Sequence, residues 1–318
     1  MSDRIRAAQI ASESIEFGLR RAPTVLRVVW APFLLSALII GGVVGLVFDP
    51  EWVAASGASG AAEPAGRGFA DALKVPLPVG VAAFAAVALM YGVLYGGVVA
   101  DISRLVARGE DEGRFVNVRI DAVARRTFAA AAIMWLANLA IFLVALAAAQ
   151  LVTGVSASTA LQDYLSVQLN PDGASGQPMQ QNARLAAALG FFGVAFLAYL
   201  PPSAWLAAKL SPFVAGTAIE NRLIPRKSFA LTKGGAWSIF GGLILLIGAW
   251  VLIGVVISIG VAVVDGVAAL LASIGGPVAF AGAALSFISA LGQAAFQLAA
   301  FGAQTAFGAI VYRRLSVD

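Results

Sequence analysis

The chain has 318 residues, of which 60% are hydrophobic and 12% charged, with a formal net charge of +4. Soluble domains carry about 45–50% apolar and about 25% charged residues, so this chain lacks the charge to cover a water-facing surface and reads as an integral membrane protein. Histidine and cysteine are absent, which excludes histidine general bases, thiol nucleophiles, Cys/His metal sites and disulfides.

The chain divides into an N-terminal segment over 1–24, a six-helix membrane domain over 25–314 and a tail over 315–318. The segment Arg4–Arg21 is expected to lie along the inner face as an amphipathic helix. Ile5, Ile10, Ile15, Phe17 and Leu19 supply its apolar contacts, while Arg4, Arg6, Glu13, Glu16 and Arg20 meet water or headgroups. Pro23 then allows a corner. Six apolar stretches follow: Val25–Phe48, Leu77–Ala100, Thr127–Leu151, Leu185–Ala208, Trp237–Val264 and Ala279–Val311. Each is long enough for a crossing, which takes about 20 residues, and none shows the alternation of a barrel strand. The expected fold is all-α, with six transmembrane helices in three hairpins.

Basic residues fix the orientation. Of the 21, 18 fall before or at the very start of the first apolar stretch (Arg4, Arg6, Arg20, Arg21 and Arg27), in the second and fourth connections, or just after the last stretch (Arg313 and Arg314). Only Arg67, Lys74 and Arg184 fall in the other three connections. Such a split predicts both termini in the cytoplasm. It also spreads the positive charge over four membrane-flanking segments, so no nucleic-acid partner is expected. The first apolar stretch is too long for a cleaved secretory signal. Each hairpin opens with a dibasic pair, at Arg20–Arg21, Arg125–Arg126 and Arg226–Lys227, and Trp30, Trp135 and Trp237 follow. An internal triplication explains this recurrence. So do positive-inside charges and interfacial tryptophans arising independently at each entry.

Among the connections, Asp49–Lys74 is rich in Gly and Ala, and Gly109–Gly113 encloses an acidic turn. The loop Val155–Ala183 holds a turn at Asn170–Gly173 and a surface helix between Ser158 and Leu169. The third outer connection carries one charge, Asp265.

No Asp, Glu, Lys or Arg lies in the middle of a span, so a carboxylate-based ion pump lacks its parts. Ser286, Gln293, Gln297 and Gln304 are spaced by 7, 4 and 7 residues. That places them within about 40° of one another on a helix. This polar stripe either lines a hydrated groove or hydrogen-bonds neighbouring helices, with Asn138 and Gln150 as partners. Ala88, Gly92, Gly96 and Ala100, with Gly41 and Gly45, permit close helix approach. Pro201–Pro202 predicts a kink or break in the fourth span.

The most distinctive pattern is Lys209–Leu245. It reads Ser211-Pro-Phe-Val, then Ala218-Ile-Glu-Asn-Arg222, then Ser228-Phe-Ala-Leu-Thr-Lys-Gly234, then Trp237-Ser-Ile-Phe-Gly-Gly-Leu243. This resembles the hallmark region of a group of bacterial six-span proteins. The group includes the membrane domain fused to some glycerophosphodiester phosphodiesterases, together with stand-alone relatives. The resemblance implies six helices in an inner membrane. It does not extend to that enzyme's catalysis, which needs histidines and a soluble domain that this chain lacks. Read physically, Lys209–Lys233 is a membrane-surface elbow in which Arg222, Arg226, Lys227 and Lys233 meet anionic headgroups and Thr232 caps the fifth span.

Three functions are weighed. The first is a non-enzymatic bacterial inner-membrane protein of membrane or lipid homeostasis, acting as scaffold or accessory subunit. The second is a permease for a neutral or lipid-like solute, using the broken fourth helix and the polar face of the sixth. The third is an enzyme built on Asp101, Arg104, Glu220 and Arg222. The first is preferred for its small-residue packing faces, basic inner-surface segments and missing catalytic chemistry; the third lacks a nucleophile beside an activating base. No cofactor is expected, and the partners are membrane lipids and a second copy of the chain or another membrane protein.

Overall fold

The computed structural model describes residues 6–48, 74–110, 118–169 and 178–316. Most of the Gly/Ala-rich connection, part of the acidic turn at Gly109–Gly113 and the turn at Asn170–Gly173 lie outside the described residues. Among the described residues there are nine helices: α1 (Ala7–Arg20), α2 (Ala22–Val47), α3 (Leu77–Arg108), α4 (Ala122–Thr153), α5 (Ala157–Leu169), α6 (Pro178–Glu220), α7 (Pro225–Leu231), α8 (Ala236–Ile274) and α9 (Gly276–Ser316). Six of them, α2, α3, α4, α6, α8 and α9, are long and apolar enough to cross a membrane. The protein is an all-α, multi-pass membrane protein. The surface helix expected after Ser158 is α5, which packs back on α6.

The membrane helices run past the apolar stretches. The 39 residues of α8 make a rod of about 58 Å at 1.5 Å per residue, roughly twice the ~30 Å hydrocarbon core. Helical hydrogen bonding does not stop where hydropathy falls, so amphipathic turns at the ends stay helical. Asp265 is one consequence. It sits inside α8 rather than in a connection, and the turn to α9 comes at Gly275 and Gly276, both with positive φ (78° and 61°).

Each membrane helix packs on its hairpin partner: α2 on α3, α4 on α6, and α8 on α9. Helix α9 is the hub and also touches α1, α2, α3 and α6. Small residues allow the closest approaches. A Cβ on Gly96 would stand 2.5 Å from the Ala124 carbonyl oxygen, and one on Gly92 would enter the Phe128 ring. Gly41 and Gly45 face open space instead, with nothing within 4 Å. At the start of α4, the Asp121 carboxylate accepts from the Ala124 amide at 2.9 Å. Loss of such an N-cap costs about 1 kcal/mol. Asp121→Ala should therefore lower the thermal midpoint slightly, read by fluorescence melting in detergent.

Two expectations need correction here. First, α6 is helical without interruption through Pro201, Pro202 and Pro212, so there is no break in the fourth span. Two prolines remove two amide donors, but their fixed φ is helical. The turn is held from the side, where the Ser203 hydroxyl donates to the Leu200 carbonyl at 3.0 Å. The permease reading loses its discontinuous helix. Second, the contacts of the amphipathic helix α1 differ from those expected, because one of its faces packs into the bundle. Its buried residues are Ile10, Ala11, Ser14 and Gly18, set against α8 and α9, while Leu19 is exposed. Glu13 does not meet water freely; it accepts from Arg314 Nη2 at 2.5 Å.

Candidate functional site

The charged ends of α1, α3, α4, α6 and α9 converge on one end of the bundle. A helix leaves its last four carbonyls without partners, and three arginines from other helices fill this need at the end of α6. Arg104 Nε donates to the Ala218 carbonyl at 3.1 Å, Arg108 Nη2 to Ile219 at 2.7 Å, and Arg126 Nη1 to the Asn221 backbone and side-chain oxygens at 2.5 and 2.9 Å. Asn221 takes the left-handed conformation (φ 53°) that ends a helix. Positive charge here also complements the negative end of the helix dipole.

Glu220 closes the same end. Its carboxylate accepts from Lys227 Nζ on α7, from the Tyr312 hydroxyl on α9 and from Arg222 Nε, the last at 2.7 Å. The Lys227 ammonium also lies 5.7 Å from the centre of the Tyr312 ring. The hydrogen bond to Glu220, aided by Tyr312 and opposed by burial, raises the Lys227 pKa above its ordinary value. The elbow is stapled from below, since Ser228 Oγ donates to the Lys209 carbonyl at 2.9 Å. Thr232 is buried and donates to the Ser228 carbonyl at 2.9 Å, so it does not cap the next helix; Gly235 holds that place with no side-chain cap.

The residues weighed for an enzyme are thus partnered one by one. Asp101 pairs with Arg119, Arg104 caps α6, and Glu220 and Arg222 pair with each other. Among the described residues, no three His, Cys, Asp or Glu side chains come together as a metal site. Of the four headgroup candidates, Lys227 is tied into the Glu220 network, Arg222 stays largely in the open beside it, and Arg226 and Lys233 are exposed.

Away from the charges lies a lateral groove of about 750 Å³ between α2, α3 and α9. Leu26, Trp30, Phe33, Tyr91, Leu94 and Phe301 shape it, and Gln297 adds a polar group. Its size falls within the ~300–1,000 Å³ of ligand sites. A second, smaller pocket of about 240 Å³ lies where α3, α4, α6, α8 and α9 meet, and it holds Ser103, Ser211, Gln304 and Thr305. A third, of about 540 Å³, lies where α6 meets the start of α8; Pro201, Trp205, Lys209 and Trp237 line it.

Comparison of the chain with protein-family models, with curated proteins and with solved structures gives no match.

The glutamine stripe is therefore divided between sites. Gln297 lines the lateral groove and Gln304 the smaller pocket, while Ser286 and Gln293 line neither and are exposed. Asn138 does not join them; its amide donates to the Met134 carbonyl of its own helix at 2.9 Å. Sequence reasoning missed Tyr95, Ser103, Ser211 and Thr305, because lone hydroxyls in apolar helices carry no periodic signal. The run of aromatics at Trp30, Phe33, Tyr91 and Tyr95 was the available clue to the groove.

Proposed function

We propose that this is a non-enzymatic protein of the bacterial inner membrane, with both termini in the cytoplasm, that holds a lipid-like molecule in the α2–α3–α9 groove. It acts in membrane or lipid homeostasis as a scaffold or accessory subunit. The observation that carries the reading is the groove itself, apolar, lateral and free of charged lining residues. An apolar cleft open to the side of a membrane helix bundle exchanges contents with lipid, not with water. The gathering of basic residues at one end supports the orientation. The partnering of carboxylates and arginines there supports a structural role over catalysis. The similarity of the Lys209–Leu245 pattern to the membrane domain named above supports the same location.

The test is native mass spectrometry of the protein released from native-lipid nanodiscs. Wild type is expected to retain a bound lipid. Ala37→Trp and Ala294→Trp, which fill the groove from α2 and α9, should lose it at least tenfold while keeping their melting temperatures. Equal retention by wild type and both variants would overturn the reading.

A further inference from the structure

The lateral groove and the polar pocket share two walls, Tyr95 and Phe301. Their rings meet edge-on at 5.6 Å between centroids and form the partition between the two spaces. On α3 the groove spans Tyr91–Val98 and the pocket Tyr95–Ser103; on α9 the groove spans Ala294–Phe301 and the pocket Phe301–Gly308. The pocket is thus displaced toward the charged end by four to five residues on α3 and by seven on α9, or roughly 6–10 Å. Ser103 precedes Arg104 directly, and Ser211 follows Lys209 by two positions. The two spaces stand end to end across this partition, the polar one nearer the charged end of the bundle and the apolar one farther from it. That is the order of groups in a lipid standing in its own leaflet.

The polar end is built to hydrogen-bond a ligand. Ser103 is 0% exposed, and neither its hydroxyl nor the buried Ser211 hydroxyl has a protein partner. Serines in membrane helices ordinarily bond back to their own helix, as Ser36 does to the Pro32 carbonyl at 2.7 Å. Two buried hydroxyls that do not, both lining one pocket, have no protein partner to offset their desolvation, and a polar group seated in that pocket would supply one. Gln304 and Thr305 add donors and acceptors, and no charged side chain lines either space. A phosphate head would be buried there without a counter-charge.

We infer that the ligand is a lipid with a small, uncharged, hydroxyl-bearing head, seated with its head between Ser103, Ser211 and Gln304 and its chain in the α2–α3–α9 groove. Tyr95 swings aside to join the two. This rests on the groove reading above and names the class of molecule.

Trp30 lines the groove, so a chain-brominated lipid there quenches its fluorescence; the quenching lost in Trp30→Phe is the signal. The probes are a brominated long-chain monoacylglycerol and the brominated methyl ester of the same fatty acid, titrated into nanodiscs of zwitterionic lipid. Wild type should prefer the monoacylglycerol by about tenfold, the worth of one to two neutral hydrogen bonds. Ser103→Leu should erase the preference while the ester still quenches. Gln304→Leu, at an exposed position, should reduce it without disturbing the fold. Equal affinity for the two probes in wild type, or a preference that survives both substitutions, would overturn the head assignment and leave the groove intact. Failure of both probes to quench Trp30 would sink the groove reading itself.

Discussion

Glu220→Ala should lower the stability of the detergent-solubilised protein by about 2 kcal/mol, the scale of a lost charge-assisted hydrogen bond at a partly buried site. The Glu220 side chain is 14% exposed and holds three donors from three places: Arg222 beyond α6, Lys227 on α7 and Tyr312 on α9. These contributions are unequal. Arg222 is 69% exposed and Lys227 41%, so solvent screens both pairs and neither contributes more than about 1 kcal/mol. Tyr312 is buried, and its hydroxyl would be left without its acceptor. Glu220→Gln keeps an acceptor for Tyr312 and should lose about half as much. A double-mutant cycle with Tyr312→Phe, read by urea or thermal unfolding, isolates that contact. A fully additive cycle would show that the Glu220–Tyr312 contact contributes nothing.

The same network sets a pH dependence. Lys227 is raised above its ordinary 10.5 chiefly by the hydrogen bond to Glu220. The unfolded chain therefore gives up this proton before the folded chain does. The contribution of Lys227 is complete below about pH 10.5 and is lost as the pH rises through the higher folded value. Wild type should therefore lose its advantage over Lys227→Met on the alkaline side as Lys227 gives up its proton, and in acid as the Glu220 carboxylate takes one up, while the difference between their melting temperatures stays flat through neutral pH.

How much of this was legible depends on which signal each part emits. The six spans are strong, continuous signals in hydropathy, and the basic segments that converge at one end are visible as charge. Gly92 and Gly96 were legible as a packing face because their spacing matches a helix turn. Gly41 and Gly45 have the same spacing and face open space, since spacing reports that a close approach is permitted and not that a helix is there to make it. The arginine caps were illegible for a different reason. Arg104, Arg108 and Arg126 serve carbonyls more than 90 residues away in sequence, and any positive-inside arginine looks the same before the helices are brought together. Pro201–Pro202 reads as a break because proline breaks helices in water; flanked by long helical runs and packed on α4, the segment stays helical.

Gly18→Leu is expected to have the largest effect, about 3 kcal/mol or outright undocking of α1, by overpacking against backbone and loss of its buried contacts. A Cβ at Gly18 would stand 2.5 Å from the Ala299 carbonyl oxygen and 2.9 Å from the Ala303 Cβ. Backbone of the hub helix cannot yield as a side-chain tip does, so α1 must move. Moving it uncovers Ile10 and Ala11, which pack in one core with Ile239, Ala303 and Phe307, and pulls Glu13 from Arg314. Protease cleavage within α1, followed alongside thermal unfolding, reads the undocking directly. Gly18→Ala should be milder, and Gly41→Leu, with nothing within 4 Å of its Cβ, should be neutral and serves as the control. The sign of the result separates two accounts of α1. A helix held to the membrane only by its amphipathic face would gain apolar area from a leucine and bind more firmly. A helix held by close approach to α9 must loosen, and faster cleavage of Gly18→Leu than of wild type would mark α1 as part of the packed core.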